Sequence, residues 1–364
     1  MTRTECYLAL NSIRLIGPVR VRRLREALGS VEAIFHTDPA RLARIDGVGE
    51  AAARAIAEWS RHWDLARELE EIARLGLRVA DCEDPDYPAP LKEIYDPPLV
   101  LYIRGDLAAA RRRGIAIVGS RHTTRYGEDC AKKIAYQIAY AGLCVLSGLA
   151  RGIDTFAHQG ALAARGRTAA VLGCSLDRVY PPENRALADK IAEEGGVLLS
   201  EFPLGTAPDR QTFPMRNRIV SGLSQGILVV EAGETSGSLI TARMALDQGR
   251  SVFAIPGRID SPQSRGCHRL LKEGAKLVES AEDILSEFDL LLPASPAEAK
   301  RPWPDDLSPE ETTILESMEP DETQLDALIQ KTGLPSGVVT STLLRLEMRR
   351  LVRQLPGKFF VKTD

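Results

Sequence analysis

A doubly wound α/β fold built on a parallel sheet is predicted for the middle of this 364-residue chain. Between about residues 96 and 290, short apolar runs alternate with segments long enough to form helices. A run that is apolar at successive positions indicates a strand buried on both faces, as in a parallel sheet covered by helices. The alternation of strand and helix favours helices on each side of that sheet. The seven predicted strands span residues 100–103, 115–118, 144–147, 169–172, 197–199, 227–230 and 252–255.

Residues 1–75 are predicted to form an N-terminal helical domain. Segments 13–19 and 42–49 are similar, and each contains a turn that leads into a helix. The second segment contains Gly47-Val48-Gly49 and resembles a SAM/helix-hairpin-helix element, whose turn presents backbone amides to phosphate. A plain connector between two helices explains these residues equally well, so both interpretations stay open.

The C-terminal part predicts a linker and a small domain. Residues 293–306 are rich in proline, which predicts a linker between a core over 76–292 and a domain over 307–364. Three helix-like segments after Ser308 precede a hairpin over 351–361, an order typical of a winged-helix domain. Acidic residues dominate its beginning and basic residues its end, which suits a DNA partner or a protein partner equally.

Composition limits the kinds of partner and compartment. The formal net charge is −3, so overall charge does not attract a polyanion and any such site must be built locally. The six cysteines are scattered singly, which predicts reduced thiols in a cytoplasmic protein and no zinc site. The N-terminus has no cleavable signal, and we expect neither export nor a membrane partner.

Candidate ligand-binding residues follow the predicted strands. Ligands of open parallel sheets bind beyond the carboxyl ends of the strands. Glycine allows close backbone approach there, and a helix N-terminus offers N–H groups and partial positive charge that suit phosphate. The candidates at three strand ends are Gly119, Ser120, Arg121, Ser147, Gly148, Ser236, Gly237 and Ser238.

A compact aromatic and basic cluster provides the remaining candidates, Phe213, Arg216, Asn217 and Arg218. Guanidinium groups pair with phosphate oxygens and an aromatic ring stacks a base, so the cluster predicts nucleic-acid contact. Surface ion pairs are the alternative for the arginines, and their position at strand ends favours ligand contact.

Motifs of nucleotide-using enzymes are absent from the sequence. It contains no GxxxxGK[ST] loop, no GxGxxG fingerprint and no metal-ligand spacing. Ser147, Asp154 and His158 are the residue types of a catalytic triad, but Asp154 and His158 are one helical turn apart and Ser147 is not on a GxSxG elbow. We interpret Asp154 as a helix cap and His158 as a satisfied core histidine. We therefore expect no catalytic residue, no metal and no cofactor.

Five strings resemble the DNA-processing protein A family, also called Smf (DprA/Smf). They are VGSR at 118–121, SGLARGIDTFAH at 147–158, FPMRNR at 213–218, SGSLITA at 236–242 and PG at 256–257. The resemblance spans about residues 85–290, and the flanking domains resemble those of longer members. Here Pro182 stands in a turn where many relatives carry a basic residue, so that contact is missing or replaced by Arg185.

The resemblance implies a function and a set of roles. It implies a Rossmann-like core that forms a homodimer, binds single-stranded DNA cooperatively, protects it, and loads RecA recombinase onto it during natural transformation. Arg121 matches the family's DNA-contacting arginine. Nine other candidates match motif positions that line the same pocket: Ser147, Gly148, Phe213, Arg216, Asn217, Arg218, Ser236, Gly237 and Ser238.

Two other functions remain open at this point. Related Rossmann-like folds include nucleoside monophosphate glycosidases, which resemble one another through a PGGxGT segment with a nearby glutamate. In this chain Glu231 precedes Gly233 and Pro256-Gly257 lies elsewhere, so that pattern is not reproduced. A scaffold that binds proteins through its terminal domains is the third hypothesis.

Overall fold

The computed structural model describes residues 1–290, 307–318, 322–349, 351–355 and 357–362. The chain divides into two compact units, Met1–Pro293 and Ala294–Asp364. The linker predicted over 293–306 lies outside the described residues.

The chain begins with a group of helices that pack on the central sheet. The predicted Gly47-Val48-Gly49 turn joins two of them, and Gly47 and Gly49 adopt φ of +76° and +72°, which glycine tolerates without a Cβ clash. Buried Leu8 and Leu24 belong to the same apolar core as Leu198 of the sheet, so these helices cover part of one sheet face. The helices are α1 (Arg3–Ser12), α2 (Pro18–Leu28), α3 (Val31–His36), α4 (Pro39–Ala43), α5 (Gly49–Ala57) and α6 (Leu65–Arg74).

Nine strands form the central sheet, in the spatial order β1-β2-β6-β5-β4-β3-β7-β8-β9. Strands β3, β4, β5, β7, β8 and β9 pair with their neighbours only in parallel. Strand β6 pairs in parallel with β5 on one side. The strands are β1 (Arg78–Asp81), β2 (Val100–Gly105), β3 (Gly114–Val118), β4 (Cys144–Ser147), β5 (Thr168–Val171), β6 (Val197–Ser200), β7 (Gly226–Val229), β8 (Ser251–Ala254) and β9 (Lys276–Leu277).

Helices cover both faces of this sheet, which confirms the doubly wound α/β fold. One face carries α7, α11, α12 and α13, and the other carries α8, α9 and α14 in one region and α10 beside the N-terminal helices in another. Their bounds are α7 (Ala89–Lys92), α8 (Arg125–Tyr140), α9 (Ile153–Ala163), α10 (Arg185–Glu193), α11 (Thr212–Leu223), α12 (Gly237–Asp247), α13 (Arg265–Lys272) and α14 (Ala281–Leu285).

All seven predicted strands are present, but the parallel direction expected for the first of them is wrong. Strand β2 pairs antiparallel with β1 and with β6. Its side chains are nevertheless buried on both faces, because Tyr102 packs among the N-terminal helices while Leu101 and Ile103 enter the opposite core. A continuous apolar run therefore reports burial on two faces, and it carries no information about direction.

The C-terminal unit is a winged-helix domain, as predicted. Ser308 and Glu311 form a capping box at its first helix, and buried Ile314, Leu343 and Phe360 belong to its own core. Its three-stranded sheet has the order β10-β12-β11. The elements are α15 (Pro309–Ser317), β10 (Thr323–Gln324), α16 (Leu325–Thr332), α17 (Ser336–Met348), β11 (Val352–Leu355) and β12 (Phe359–Lys362).

None of the helices in the described part of the chain combines the length and the apolar character needed to span a bilayer.

Candidate nucleic-acid interface

A pocket of about 730 Å³ opens at the carboxyl ends of β3, β4 and β7. The chain winds from β3 toward β6 in one direction and then resumes on the other side of β3 with β7. This reversal separates the loops that follow β3 and β7, and such a switch point leaves a crevice in which open α/β sheets bind ligands. Ten of the sequence-predicted site residues line it: Gly119, Ser120, Arg121, Gly148, Phe213, Arg216, Asn217, Ser236, Gly237 and Ser238.

The loop after β3 is held by Glu231, at the end of β7. Ser120 donates its backbone N–H to the Glu231 carbonyl oxygen at 2.7 Å. A Cβ on Gly119 would lie 2.9 Å from that oxygen and 2.5 Å from Ile153 Cγ1, so only glycine fits here. The Glu231 carboxylate accepts hydrogen bonds from the Thr124 N–H and hydroxyl, and Thr124 in turn caps α8. Glu231 therefore fixes the entry to α8.

The loop after β4 is organised by Asp154, although not in the way predicted. Helix α9 begins at Ile153 with Gly152 as its N-cap, so Asp154 lies in the first turn and is not the cap. Its Oδ2 accepts hydrogen bonds from Gly148 N at 3.0 Å and from Ala150 N at 3.3 Å. Burial raises the pKa of Asp154, while Arg216 and the two amides oppose that rise. Asp154 thus shapes the loop that forms the pocket wall.

Arg216 is part of the pocket wall, and its guanidinium is directed into the protein. The residue is only 4% exposed and donates hydrogen bonds to the carbonyl oxygens of Gly148 and Val171. Burial lowers the pKa of Arg216, and the neighbouring Asp154 carboxylate opposes that change. The Gly148 carbonyl directly follows β4, and the Val171 carbonyl ends β5. Arg216 therefore connects the ends of these two strands. Both of these hydrogen bonds come from Nη1, so the phosphate contact predicted for Arg216 stays a prediction that would use Nη2.

His158 is buried behind this wall with one nitrogen satisfied. Its Nδ1 lies 2.7 Å from Thr168 Oγ1, and the Thr168 hydroxyl donates its proton to the Val145 carbonyl. The imidazole must then donate from Nδ1, which leaves Nε2 as an acceptor. Nε2 has no hydrogen-bond partner among the described residues, so the expectation of a satisfied core histidine is corrected. Burial, assisted by the charge of Arg216, lowers the pKa of His158 to about 3.

Two predicted site residues, Arg218 and Ser147, do not line the pocket. Arg218 is 8% exposed, with Nη2 at 2.5 Å from Glu201 Oε2 and Nε at 3.0 Å from Asp96 Oδ2. Residues two apart on a helix differ by about 200° in direction, so Arg216 and Arg218 of α11 face different sides. Ser147 is fully buried and donates to the Ile117 carbonyl at 2.6 Å, which connects β4 to β3.

Arg121 and Phe213 meet at the pocket mouth. Arg121 is exposed, and its Cζ lies 4.9 Å from the centroid of the Phe213 ring. A cation–π contact uses the face of the guanidinium and leaves its N–H groups available at the edge. Arg121 can therefore pair with a phosphate while it remains against the ring.

The N-terminus of α12 contributes backbone donors to the same pocket. Ser236 is its N-cap and accepts from Ser238 N, while the two hydroxyls lie 2.8 Å apart. Gly237, at the first helical position, has no atom within 4 Å of a hypothetical Cβ, so the backbone there is open to a ligand. Such a terminus attracts an anion without any side-chain charge.

Arg210 and Ile240 are among the lining residues that sequence reasoning missed. Arg210 is exposed and lies in the segment before α11, three positions ahead of Phe213. In the sequence, Arg210 begins the segment RQTFPMRNR at 210–218, which is rich in basic residues and contains Phe213. This segment starts three positions before the predicted cluster. Ile240 is 46% exposed and adds an apolar wall from α12. The residue type alone does not distinguish an exposed isoleucine from a buried one, so the sequence could not predict this wall.

Comparison with known proteins identifies the family. Residues 78–289 match the family model described as DNA recombination-mediator protein A, and residues 298–358 match the DprA winged helix domain. The chain belongs to the DprA/Smf family. Residues 7–58 match a SAM-like helix-hairpin-helix tandem, which confirms the predicted resemblance, while the contact of its turn with phosphate stays a prediction.

Several DprA/Smf proteins resemble the chain over much of its length. Protein Smf of Synechocystis sp. is 35% identical over 96% of both chains, and DNA processing protein DprA of Bacillus subtilis is 45% identical over 62% of this chain and 75% of the relative. The crystal structure of DprA from Streptococcus pneumoniae superimposes with a TM-score of 0.68, at 36% identity over 79% of this chain and 99% of that one. A DprA structure from Helicobacter pylori, described for its single-stranded DNA binding mode, gives a TM-score of 0.53, at 30% identity over 59% and 98%.

Proposed function

We propose that this DprA/Smf protein binds single-stranded DNA in the pocket at the ends of β3, β4 and β7 and leaves it chemically unchanged. The observation that carries the proposal is the contact between Arg121 and Phe213. It places a cation and an aromatic face at one mouth, which suits a phosphate and the base attached to it.

The rest of the pocket supports a flexible polyanion as the ligand. Arg210 adds a second exposed cation, and the N-terminus of α12 adds backbone N–H groups. These local donors explain how a chain with net charge −3 attracts a strand. A base reaches the Phe213 ring only when it is unpaired, so we expect duplex DNA to bind much more weakly.

The carboxylates near the pocket favour binding over catalysis. Glu231 accepts from Thr124, and Asp154 accepts from two loop amides. The described residues contain no group of three or more His, Cys, Asp and Glu side chains placed to hold a metal ion. The competing glycosidase hypothesis needs a free carboxylate at the base–ribose bond, and incubation with nucleoside monophosphates followed by chromatography for released base tests it.

We further propose that the chain acts in the cytoplasm as a homodimer that protects incoming DNA and passes it to RecA recombinase during natural transformation. Membership of a family of recombination mediators and a pocket suited to single strands support this role. Strand-exchange assays with RecA and a competing single-strand binding protein test the transfer, and light scattering tests the dimer.

Arg121→Ala tests the site, with Arg112→Ala as the matched control. Both residues are exposed and flank β3, Arg112 at its amino end and Arg121 at its carboxyl end. Loss of one charge-assisted contact should weaken binding of a fluorescent oligothymidylate by about 10- to 100-fold, with the control unchanged. Full affinity in Arg121→Ala would remove this site from consideration.

A further inference from the structure

Tyr180 and Arg151 extend the contact between Arg121 and Phe213 beyond the pocket. The Tyr180 and Phe213 ring centroids are 6.0 Å apart, with the ring planes tilted by 52°. Tyr180 also contacts Arg151, whose Cζ lies 5.8 Å from the Tyr180 ring centroid. Arg151, Tyr180, Phe213 and Arg121 therefore form a row in which two cations flank two rings. We call these four residues the cation–aromatic row; a narrow groove that also includes Gly148 and Pro181 runs along it.

The row is built from rigid parts. Tyr180 belongs to the segment after β5, and Arg151 belongs to the loop after β4. Buried Asn184 joins these segments, because its Nδ2 donates to the Leu149 carbonyl at 2.9 Å and to Thr155 Oγ1 at 2.8 Å. A buried hydrogen-bonded side chain thus holds together the two backbone segments that carry Arg151 and Tyr180, so a ligand has only side chains to rearrange.

Glu183 holds the outer cation of the row. Its carboxylate pairs with Arg151 Nε, and the two side chains are about half exposed, at 52% and 49%. An exposed ion pair of this kind is worth little, so a competing anion can replace the carboxylate at small cost. A phosphate oxygen offers the same charge and hydrogen-bond acceptors as Glu183, and guanidinium groups bind it well.

We infer that the cation–aromatic row is a second nucleotide subsite, in which a base stacks on Tyr180 and the neighbouring phosphate displaces Glu183 from Arg151. This inference rests on the proposed function, because the strand must already lie at Phe213. Arg151 lies on the groove, whereas Arg185, the substitute expected from sequence, does not line it.

Affinity measured against oligothymidylate length and salt concentration tests the subsite. Tyr180→Leu should weaken binding of strands long enough to reach both rings by about 5- to 150-fold, the usual effect of losing one stacked base. The shortest strands that still bind should be unaffected, and Tyr180→Phe should behave as the wild type. Arg151→Ala should reduce the slope of log K against log salt by about 0.7, the amount for one phosphate contact on a single strand.

Glu183→Gln and Arg185→Ala complete the experiment. Glu183→Gln frees Arg151 and should tighten binding of long strands, a gain that misfolding cannot produce. Arg185→Ala removes the same charge outside the groove and should leave the slope unchanged. The subsite is overturned if Tyr180→Leu keeps the full advantage of long strands, or if Arg185→Ala changes the slope and Arg151→Ala does not. Loss of binding at every length in Arg121→Ala together with normal behaviour of Tyr180→Leu would remove this subsite and retain the proposed function.

Discussion

Arg216 donates a hydrogen bond from Nη1 to the carbonyl oxygen of Gly148 across 2.5 Å. A side chain of α11 thereby fixes the loop that follows β4, and the same guanidinium also reaches the end of β5. The pocket wall is therefore held in place by a buried guanidinium group.

Arg216→Ala should destabilise the protein as well as weaken DNA binding. The substitution removes the charge that opposes the burial of Asp154 and leaves the buried carbonyls of Gly148 and Val171 without this donor, and each buried polar group left unpaired typically costs about 1–3 kcal/mol. Urea denaturation followed by fluorescence measures the free energy of unfolding. Arg121→Ala, at an exposed position, is the control and should lose binding alone. A fully stable Arg216→Ala protein that fails to bind DNA would instead make Arg216 a direct ligand.

Arg218→Ala should lower the stability of the protein and leave DNA binding unchanged, whereas Arg121→Ala should weaken DNA binding and leave stability unchanged. It leaves the buried Glu201 carboxylate unpaired, so we expect a loss of about 3–5 kcal/mol in the free energy of unfolding. Binding to single-stranded DNA should be unchanged at temperatures where the variant is folded, because Arg218 lies outside the pocket. Anisotropy titrations performed on protein shown to be folded by circular dichroism measure this. Weakened binding by folded protein would return Arg218 to the site.

Gly152→Ala should disturb the loop that carries Arg121. A Cβ at Gly152 would lie 2.2 Å from the Ser120 carbonyl oxygen, and the residue has φ of +76°. Gly76→Ala is the matched control, since Gly76 has φ of +63° with no atom within 4 Å of its Cβ position. The control should cost about 1–2 kcal/mol for a positive φ, whereas Gly152→Ala should cost at least about 1–3 kcal/mol more because of the clash and because its ψ of −131° lies outside the left-handed helical region. Equal losses in thermal unfolding would show that the clash relaxes freely.

His158 should make the protein less stable in mild acid. Its pKa in the folded protein is about 3, below the ordinary value of 6.5, so the unfolded chain binds a proton first as the pH falls. Stability is then lost between pH 6.5 and 3, at up to about 1.4 kcal/mol for each pH unit. The pKa of Asp154 is raised in the folded protein, so the folded protein binds this proton before the unfolded chain does as the pH falls. This stabilises the folded protein in acid and opposes the effect of His158.

The contribution of His158 is measured as the difference in free energy of unfolding between the wild type and His158→Gln at pH 7 and at pH 5. This difference should favour the wild type less at the lower pH, because glutamine does not titrate. A difference that stays constant with pH would show that His158 is protonated in the folded protein.

The sequence predicted the central strands because burial on two faces leaves a direct trace in residue type. Strand β1 (RVAD) and the exposed two-residue β9 leave no such trace, and the direction of β2 depends on partners distant in the chain. The glycines and serines after the strands were predicted to lie together because the carboxyl ends of parallel strands lie at the same edge of the sheet.

The arginines were harder to assign from sequence. The predicted cluster treats Arg216 and Arg218 alike, whereas in helix α11 they point in different directions and both are buried, which is rare for charged residues. The contact between Tyr180 and Phe213 joins segments 33 positions apart by number and depends on tertiary structure alone.

The pocket lies at the switch point between β3 and β7, so its walls come from parts of the chain that the ribosome synthesises at different times. Arg121 emerges from the ribosome long before Ser236, so a nascent chain that ends ahead of β7 exposes its first strand-end loop without the opposing wall. Only the completed sheet has both walls of the pocket, and if the proposed function holds, bound DNA should then protect the native state by mass action. Truncated translation products would not compete for the ligand.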